Sequence, residues 1–475
     1  MPVFPEIRMA DLEALLTDVE RRTMEDTEVN KGDLDIRMRD AGLKDLADIL
    51  GETLTAFAIL EGSGMGGTLR EARMDTVLGD VKFKCHYHAP ASGKPVSRQD
   101  RRKRERTAAK IKRRKKKNGS FTRAGGAKGA FPFKNGLRLV DGMTPALAAL
   151  HNRIAVRAGS FREGTDTLSD FVGVIMSEST FMRRAYAAGN RALKEQELEV
   201  LRMGLSGVIP TRLALALTAV VPTLYIMLDG TGVPCVKKDT RKRKGKDGKP
   251  AKTRELKVGV IGTYRWIDSR RCPVRDPGSE THIVSAKKAC MFGSLLRRVA
   301  NSRGYGGGGF RIQICGDGAE WIENIVKIAF PGDDVIFTVD FFHACEHLHS
   351  FLGCVLEKGK VLNKAFRKAR GILRRNGGQG LITHLGRLYG EAIKGNKEAL
   401  TELNYFKKRT KHMKYAEYRK EGLYIGSGII EAACRTDVAR RCKQAGMHWR
   451  ILNAAAMCAL VARLRSGVPS SKLAI

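Results

Sequence analysis

The sequence predicts a multidomain protein of the α plus α/β class, in which a mixed-sheet core is flanked and interrupted by helical segments. Three observations predict this. At 475 residues the chain exceeds what one hydrophobic core supports, so about two to four domains are expected. Its apolar periodicity is helical over most of its length but changes to strand-like runs between residues 221 and 340. Two stretches rich in Lys and Arg, 98–117 and 237–256, punctuate the order, and the first is too polar to build a core.

Residues 1–90 read as a helical N-terminal region. Leu12, Leu15, Leu16 and Val19 repeat at helical spacing, as do Leu43, Leu46, Ile49 and Leu50 in RMRDAGLKDLADILGE. Residues 91–142 form a basic flexible linker. Its cations include Arg101, Arg102, Lys103, Arg104, Arg113, Arg114, Lys115 and Lys116. Such a segment is expected to lie along phosphates, raising affinity without conferring sequence choice.

Residues 143–205 carry a helix-turn-helix pattern. Thr144 caps a first helix with Pro145 at its first position. A second helix runs from Ser160 to Phe171, Gly173 breaks the chain, and Ser177 caps a third from Glu178 to Ala188. The third presents Ser179, Thr180, Arg183 and Arg184 near its start, where base edges are read in such motifs.

Residues 206–350 form the first part of the core. Strand one ends at Asp229. A basic hairpin loop follows, bearing Lys237, Lys238, Arg241, Lys242, Arg243 and Lys244, and is expected to reach DNA. Strand two is 257–267, strand three starts at HIVSAKKA, strand four is FRIQICGD and strand five DVIFTVDFF. SLLRRVANSR and WIENIVKIAF supply the helices between strands three and five. A three-strand meander followed by helix, strand, helix and strand is the RNase H-like order. Residues 351–421 then read as an all-helical basic insertion, and 422–475 as helices hinged near Gly446 that complete the core.

The net charge of +36 is extreme for a soluble enzyme. Such a charge repels itself unless a polyanion is the working partner, and nucleic acid is the expected one. No stretch reaches transmembrane length, and no basic segment with an apolar core opens the chain, so neither membrane insertion nor export is expected. The ten cysteines lack pairing rhythm and read as reduced thiols of a cytoplasmic protein.

Three acids stand out for their positions: Asp229 in LDGTGVP, Asp317 in CGDGAEWI, and Glu431 in GSGIIEAAC. Two carboxylates at buried strand ends and a third on a distant helix can converge, and such a cluster repels itself unless divalent cations neutralise it. Phosphodiester cleavage needs an in-line nucleophile and charge neutralisation on attacking and leaving oxygens, which two Mg²⁺ or Mn²⁺ ions about 3.5–4 Å apart provide. Asp229 is assigned as the shared ligand, with Asp317 and Glu431 each completing one ion. Gly230, Gly316 and Gly318 leave room for backbone and phosphate to approach.

A second constellation is DFFHACEHLH. Asp340 ends strand five and His343 follows by three residues. His343, Glu346 and His347 also match the inverted-zincin order, in which a further glutamate, Glu421 or Glu431, completes a zinc peptidase site. His347 and His349 otherwise read as helix surface.

LDGTGVP, CGDGAEWI, DFFHACEHL and GSGIIEAACR followed by GMHW together resemble the signature blocks of ISKra-type bacterial insertion-sequence transposases. These belong to the DDE superfamily, with an RNase H-like core. The resemblance spans roughly residues 143–467 in order. It implies Asp229, Asp317 and Glu431 as the catalytic triad, and places Asp340 and His343 in an accessory Asp-x-x-His element. An alternative alignment makes Asp340 the second acid; Asp317 is preferred because a helix follows its strand. The resemblance further implies binding of terminal inverted repeats and target DNA, a homodimer or higher oligomer on DNA, and strand cleavage with strand transfer. A nuclease without strand transfer and a catalytically idle DNA-binding regulator are the alternatives. Relatives are expected to carry a cysteine-pair zinc element before the helix-turn-helix. Here only KCHYH (Cys85, His86, His88) stands in that region.

Overall fold

The computed structural model describes residues 34–62, 67–88, 134, 137, 139–206, 223–245, 248–302, 311–332 and 335–467. Residues 101–116 of the basic linker and the apolar positions between 12 and 19 lie outside this set. The described residues are a mixture of α and β structure, falling into two compact units. One comprises residues up to Ala148 with Thr165–Met176, the other Ala149–Gly164 with Ser177 onward. Among the described residues no helix is long and apolar enough to cross a membrane.

In the first unit, helix α1 (Leu34–Gly62) contains the expected RMRDAGLKDLADILGE segment. The expectation of helix up to residue 90 fails beyond it. Strands β1 (Thr68–Thr76) and β2 (Gly79–Tyr87) form an antiparallel hairpin instead. The reason is alternation: Ala72 and Met74 on β1, and Val81, Phe83 and Cys85 on β2, are buried while the residues between them face outward. The buried residues meet Ala47, Leu54 and Ala58 of α1 in one core. Gly51 permits this approach, since a Cβ there would lie 2.3 Å from the Lys82 carbonyl oxygen. Cys85 is part of that core, which accounts for half of the KCHYH motif as packing.

Helices α2 (Pro145–Arg157), α3 (Phe161–Val172) and α4 (Glu178–Ser206) start where their capping residues predict. The Ser160 hydroxyl accepts from the Glu163 amide at 3.0 Å, and the Glu163 carboxylate accepts from the Gly159 amide at 2.7 Å. Gly173 closes α3 with φ +70°, a left-handed conformation suited to glycine. Ser177 caps α4, accepting from the Thr180 amide at 3.3 Å. Helix α4 does not stop at Ala188 as expected, but continues through the neighbouring helical stretch to Ser206.

The second unit is built on a five-stranded mixed sheet. Its strands are β3 (Thr223–Pro234), β4 (Thr253–Gly262), β7 (Thr281–Ser285), β8 (Arg311–Gly316) and β9 (Val335–Val339). A short helix α5 (Lys237–Thr240) lies between β3 and β4, and a small ribbon, β5 (Tyr264–Ile267) with β6 (Pro273–Arg275), lies between β4 and β7. The spatial order is β7-β4-β3-β8-β9. β4 is antiparallel to β3 and β7, whereas β8 is parallel to β3 and β9. Helix α6 (Ala289–Ser302) connects β7 to β8, and α7 (Glu320–Ala329) connects β8 to β9. Central strands covered on both faces are buried without a break, as Leu224–Leu228 and Ile312–Cys315 are, with the polar Gln313 among them. Two expectations need correction. The segment 257–267 is not one strand: it breaks after Gly262, and Tyr264–Ile267 pairs with β6 in the separate ribbon. Asp229 is not terminal on its strand, because β3 runs on to Pro234.

Beyond β9 the chain is helical: α8 (Phe341–Val355), α9 (Lys360–Ile393), α10 (Lys397–Arg409) and α11 (Tyr415–Lys420). Helix α9 breaks at Gly377, whose φ of +68° is required because a Cβ would lie 2.7 Å from the Met413 carbonyl oxygen. Helix α12 (Gly428–Ala433) passes into a π-helical turn, Cys434–Ala439, and then α13 (Arg440–Cys442). Gly446, with φ +76°, turns the chain toward α14 (Ile451–Arg465), and Trp449 bridges to Cys235 at the end of β3.

Candidate active site

Parallel pairing of β3 with β8 brings two of the three acids together. The last registered pair is Met227 with Cys315, so Asp229 and Asp317 each stand two residues beyond it, at the same end of neighbouring strands. β8 stops at Gly316, and Asp317 begins the turn into α7. That turn is tight: one Asp317 carboxylate oxygen, Oδ1, accepts from the Ala319 amide at 2.8 Å, and Gly318 adopts φ +79°. The Asp229 carboxylate accepts from the Gly230 amide at 2.6 Å through Oδ1, and from the Cys434 thiol at 3.4 Å through Oδ2.

Burial pushes the Asp229 carboxyl above the usual carboxylate range. The Gly230 and Cys434 donors oppose that rise, the Asp317 charge adds to it, and His343 is near enough to offset part of it. Among the described residues no Lys or Arg forms a salt bridge with Asp229, Asp317 or Glu431. The Asp229–Asp317 pair is therefore like-charged and not salt-bridged among the described residues, with Arg409 held on the Gly318 carbonyl and Lys443 on Thr231 nearby; two such carboxylates suit a divalent metal with hard oxygen ligands. No three His, Cys, Asp or Glu side chains among the described residues already form a ready-made metal group.

Glu431 is exposed in the first turn of α12. It lies three residues before Cys434, and residues so spaced share a helix face. The thiol contact holds the C-terminal end of the Glu431 helix beside Asp229, but the Glu431 carboxylate does not join the two aspartates in a three-ligand group among the described residues. The π-helical turn that follows adds a buried anchor. Asp437 in that turn is fully buried; it accepts from Arg465 at 3.2 Å and from the Thr436 hydroxyl at 2.9 Å, and it lies 2.7 Å from His282 Nδ1 on β7. On the other side of the ring, Glu280 lies 3.4 Å from Nε2, an ion-pair distance, and forms a bidentate pair with Arg275.

Burial alone would lower the His282 pKa, but Asp437 and Glu280 outweigh it and raise it. Burial alone would raise that of Glu280, but Arg275 and His282 draw it down to about 2. The sign of the pH dependence follows. The folded imidazole holds its proton more tightly than the unfolded one, so its stabilisation is complete below about pH 6.5 and is lost as pH rises through the folded value. For Glu280, stabilisation is present above about pH 4.3 and is lost as pH falls toward its folded value. Calorimetric melting of the full chain should therefore decline above about pH 6.5, and less steeply in His282→Asn protein. Parallel pH profiles for the two proteins would contradict this role.

Asp340 is 2% exposed and both its oxygens are committed. One accepts from the Phe342 and His343 amides at 2.6 and 3.4 Å, capping α8. The other accepts from the Ser427 amide at 3.0 Å and from the Ser427 hydroxyl. It therefore ties the end of β9 to the residue just before α12, the Glu431 helix. His343 Nδ1 is 3.1 Å from Glu346, and His347 Nδ1 is 2.6 Å from Glu402. Each glutamate thus occupies a ring nitrogen. Glu421 pairs with Arg311 at 2.7 Å, at the start of β8 and so at the opposite end of that strand from Asp317. Among the described residues neither the zinc-peptidase set nor the Asp229, Asp317 and Glu431 set forms a three-ligand group.

The expected DNA-contacting residues of the loop after β3 are placed outward. Lys237, Lys238, Arg241, Lys242, Arg243 and Lys244 are all exposed. The loop itself is held, because Asp239 accepts from the Ile451 amide at 2.7 Å and pairs with Arg450 at 3.2 Å. At the start of α4, Ser179 and Arg183 are exposed and Thr180 is half-buried, accepting from Ser177 at 3.0 Å and from Arg183 at 3.4 Å. Arg184 is half-buried and has partners of its own. Cys434, Ser427, His282 and Asp437 had no signal in the sequence as members of the site; only the fold brings them to it. No protein-family model matches the chain, and a search of curated proteins finds no match.

Proposed function

We propose that the chain is a DNA transposase of the DDE superfamily with an RNase H-like core, which cuts at the ends of its element and joins the freed 3′ ends to target DNA. The observation that carries this reading is the side-by-side placement of Asp229 and Asp317, not salt-bridged among the described residues, with the Glu431 helix bonded to Asp229 through Cys434. The sheet supports it: an antiparallel three-strand meander followed by helix, parallel strand, helix and parallel strand.

In this reading Asp229, Asp317 and Glu431 are the residues that would hold Mg²⁺ or Mn²⁺. When bound, the metal supplies an activated nucleophile and neutralises charge on the reacting phosphate. The Gly230 amide and the Cys434 thiol fix the direction of the Asp229 carboxylate. Asp340 and Ser427 set where α12 begins, and Asp437 with His282 hold its far end. The outward cations between Lys237 and Lys244 meet backbone phosphates next to the site, while the α2–α4 segment reads element ends as a helix-turn-helix on a dimer or larger assembly.

Two kinds of test bear on this. A duplex made from the DNA flanking the chain's own gene should be cut with Mg²⁺ or Mn²⁺ and left intact with EDTA. Cleavage of peptides, lost on removal of stoichiometric zinc, would favour the peptidase reading instead. Deletion of residues 101–117 should weaken binding to all DNA alike and flatten its salt dependence. Substitution of Ser179 or Arg183 should chiefly reduce discrimination for element ends. Equal loss of specificity from both changes would contradict that division.

A further inference from the structure

Two side chains of α10 reach the main chain of the turn that bears Asp317. The Tyr405 hydroxyl donates to the Asp317 carbonyl oxygen at 3.0 Å, and Arg409 Nε donates to the Gly318 carbonyl oxygen at 2.7 Å. They are four residues apart, hence on one helix face. They also brace each other, since the Arg409 guanidinium lies 4.4 Å from the Tyr405 ring centroid and donates to the Tyr405 carbonyl at 3.2 Å. His347 of α8 stacks on the same ring, with centroids 3.7 Å apart and planes 18° from parallel, and its Nδ1 is held by Glu402 one turn earlier on α10. Burial keeps the Tyr405 hydroxyl protonated and so a donor. The fit at Gly318 is close: a Cβ there would lie 2.7 Å from Arg409 Nε and 2.9 Å from its Cδ.

These contacts grip the carbonyls of the two peptide groups that flank Gly318, 88 and 91 residues away in sequence, without touching the Asp317 carboxylate. A carboxylate on a strand-to-helix turn points wherever its main chain directs it, and a metal tolerates misplacement of only about 0.5 Å. We propose that Tyr405 and Arg409 are positioning residues for the Asp317 carboxylate, so that the helical stretch after α8 sets the metal affinity of the core. This rests on the metal-dependent reading above. It also gives His343-x-x-Glu346-His347 a role without zinc: His347 is the stacking support of Tyr405.

The test is Mn²⁺ titration of the full-length protein, read by electron paramagnetic resonance, with Asp317→Ala as reference. Tyr405→Phe keeps the ring and removes one donor; Arg409→Lys keeps the charge and removes the Nε contact. Loss of such supporting contacts weakens metal binding by roughly 10- to 100-fold. Tyr405→Phe and Arg409→Lys should fall in that range, with DNA cleavage recovering toward the wild-type rate at saturating Mn²⁺ and little change in melting temperature. Should Arg409→Lys not fold, Tyr405→Phe carries the test. Wild-type Mn²⁺ affinity in both variants, beside loss of binding in Asp317→Ala, would overturn the positioning role alone. Undiminished binding in Asp317→Ala would overturn the metal reading and this proposal with it.

Discussion

Replacing Asp229 or Asp317 by Asn is expected to lower DNA cleavage by roughly a thousandfold or more, equivalent to about 4 kcal/mol of barrier, while DNA affinity stays at the wild-type value. The substitution removes a metal-ligating charge and leaves the exposed cations untouched. Glu431→Gln should behave the same way. Asp340→Ala should differ in kind. Its oxygens cap α8 and bind Ser427, so its loss should remove about 1–2 kcal/mol of stability and lower the melting temperature before it affects chemistry. Gel assays of cleavage and binding beside calorimetry separate the two outcomes. Normal cleavage by Asp317→Asn with none by folded Asp340→Ala would move the second catalytic acid to position 340.

Changing Lys237, Lys238, Arg241, Lys242, Arg243 and Lys244 together to Gln is expected to have the largest effect on DNA binding. All six are exposed on a loop anchored by Asp239. Each phosphate contact contributes roughly 0.9 to the slope of log affinity against log salt. If all six meet phosphates, the slope falls by about five, and a decline on the order of a thousandfold between about 50 and 200 mM salt largely disappears. Fluorescence anisotropy with one duplex across a salt series measures this. An unchanged slope would mean that the loop faces away from DNA and that other cations, such as those of 101–116, carry the binding.

The core was legible in the sequence because its strands are buried on both faces. Buried runs such as Leu224–Leu228 and Ile312–Cys315 mark the central strands, and the acids that follow them stand just past the last β3–β8 pair. Capping residues located the helices equally well, since Ser160 and Ser177 bond local amides. The hairpin of β1 and β2 was also written in the sequence, as the alternation of Val81, Phe83 and Cys85 with lysines and histidine. The helical period of α1 ends at Gly62 and does not extend into this segment. The break after Gly262 had no comparable signal, because Tyr264–Ile267 is strand-like whichever partner it takes. Least legible were the supports of the site. Cys434 to Asp229, Asp437 to His282, Ser427 to Asp340 and Tyr405 to Asp317 join residues 205, 155, 87 and 88 positions apart, and no local pattern encodes such contacts.

The most direct measurement of the central claim is strand joining in a purified system. A duplex from one flank of the gene, labelled at the 5′ end of the strand whose freed 3′ end is to be joined, is incubated with the full-length protein, a supercoiled plasmid and Mg²⁺. The account predicts labelled plasmid in which the duplex 3′ end is covalently joined to target DNA, formed by the wild-type protein and absent with Asp229→Asn, Asp317→Asn or Glu431→Gln. Nicked but unlabelled plasmid would leave a nuclease in place of a transposase. Joining that persists in the Asp229→Asn and Asp317→Asn proteins would contradict the assignment of chemistry to these carboxylates.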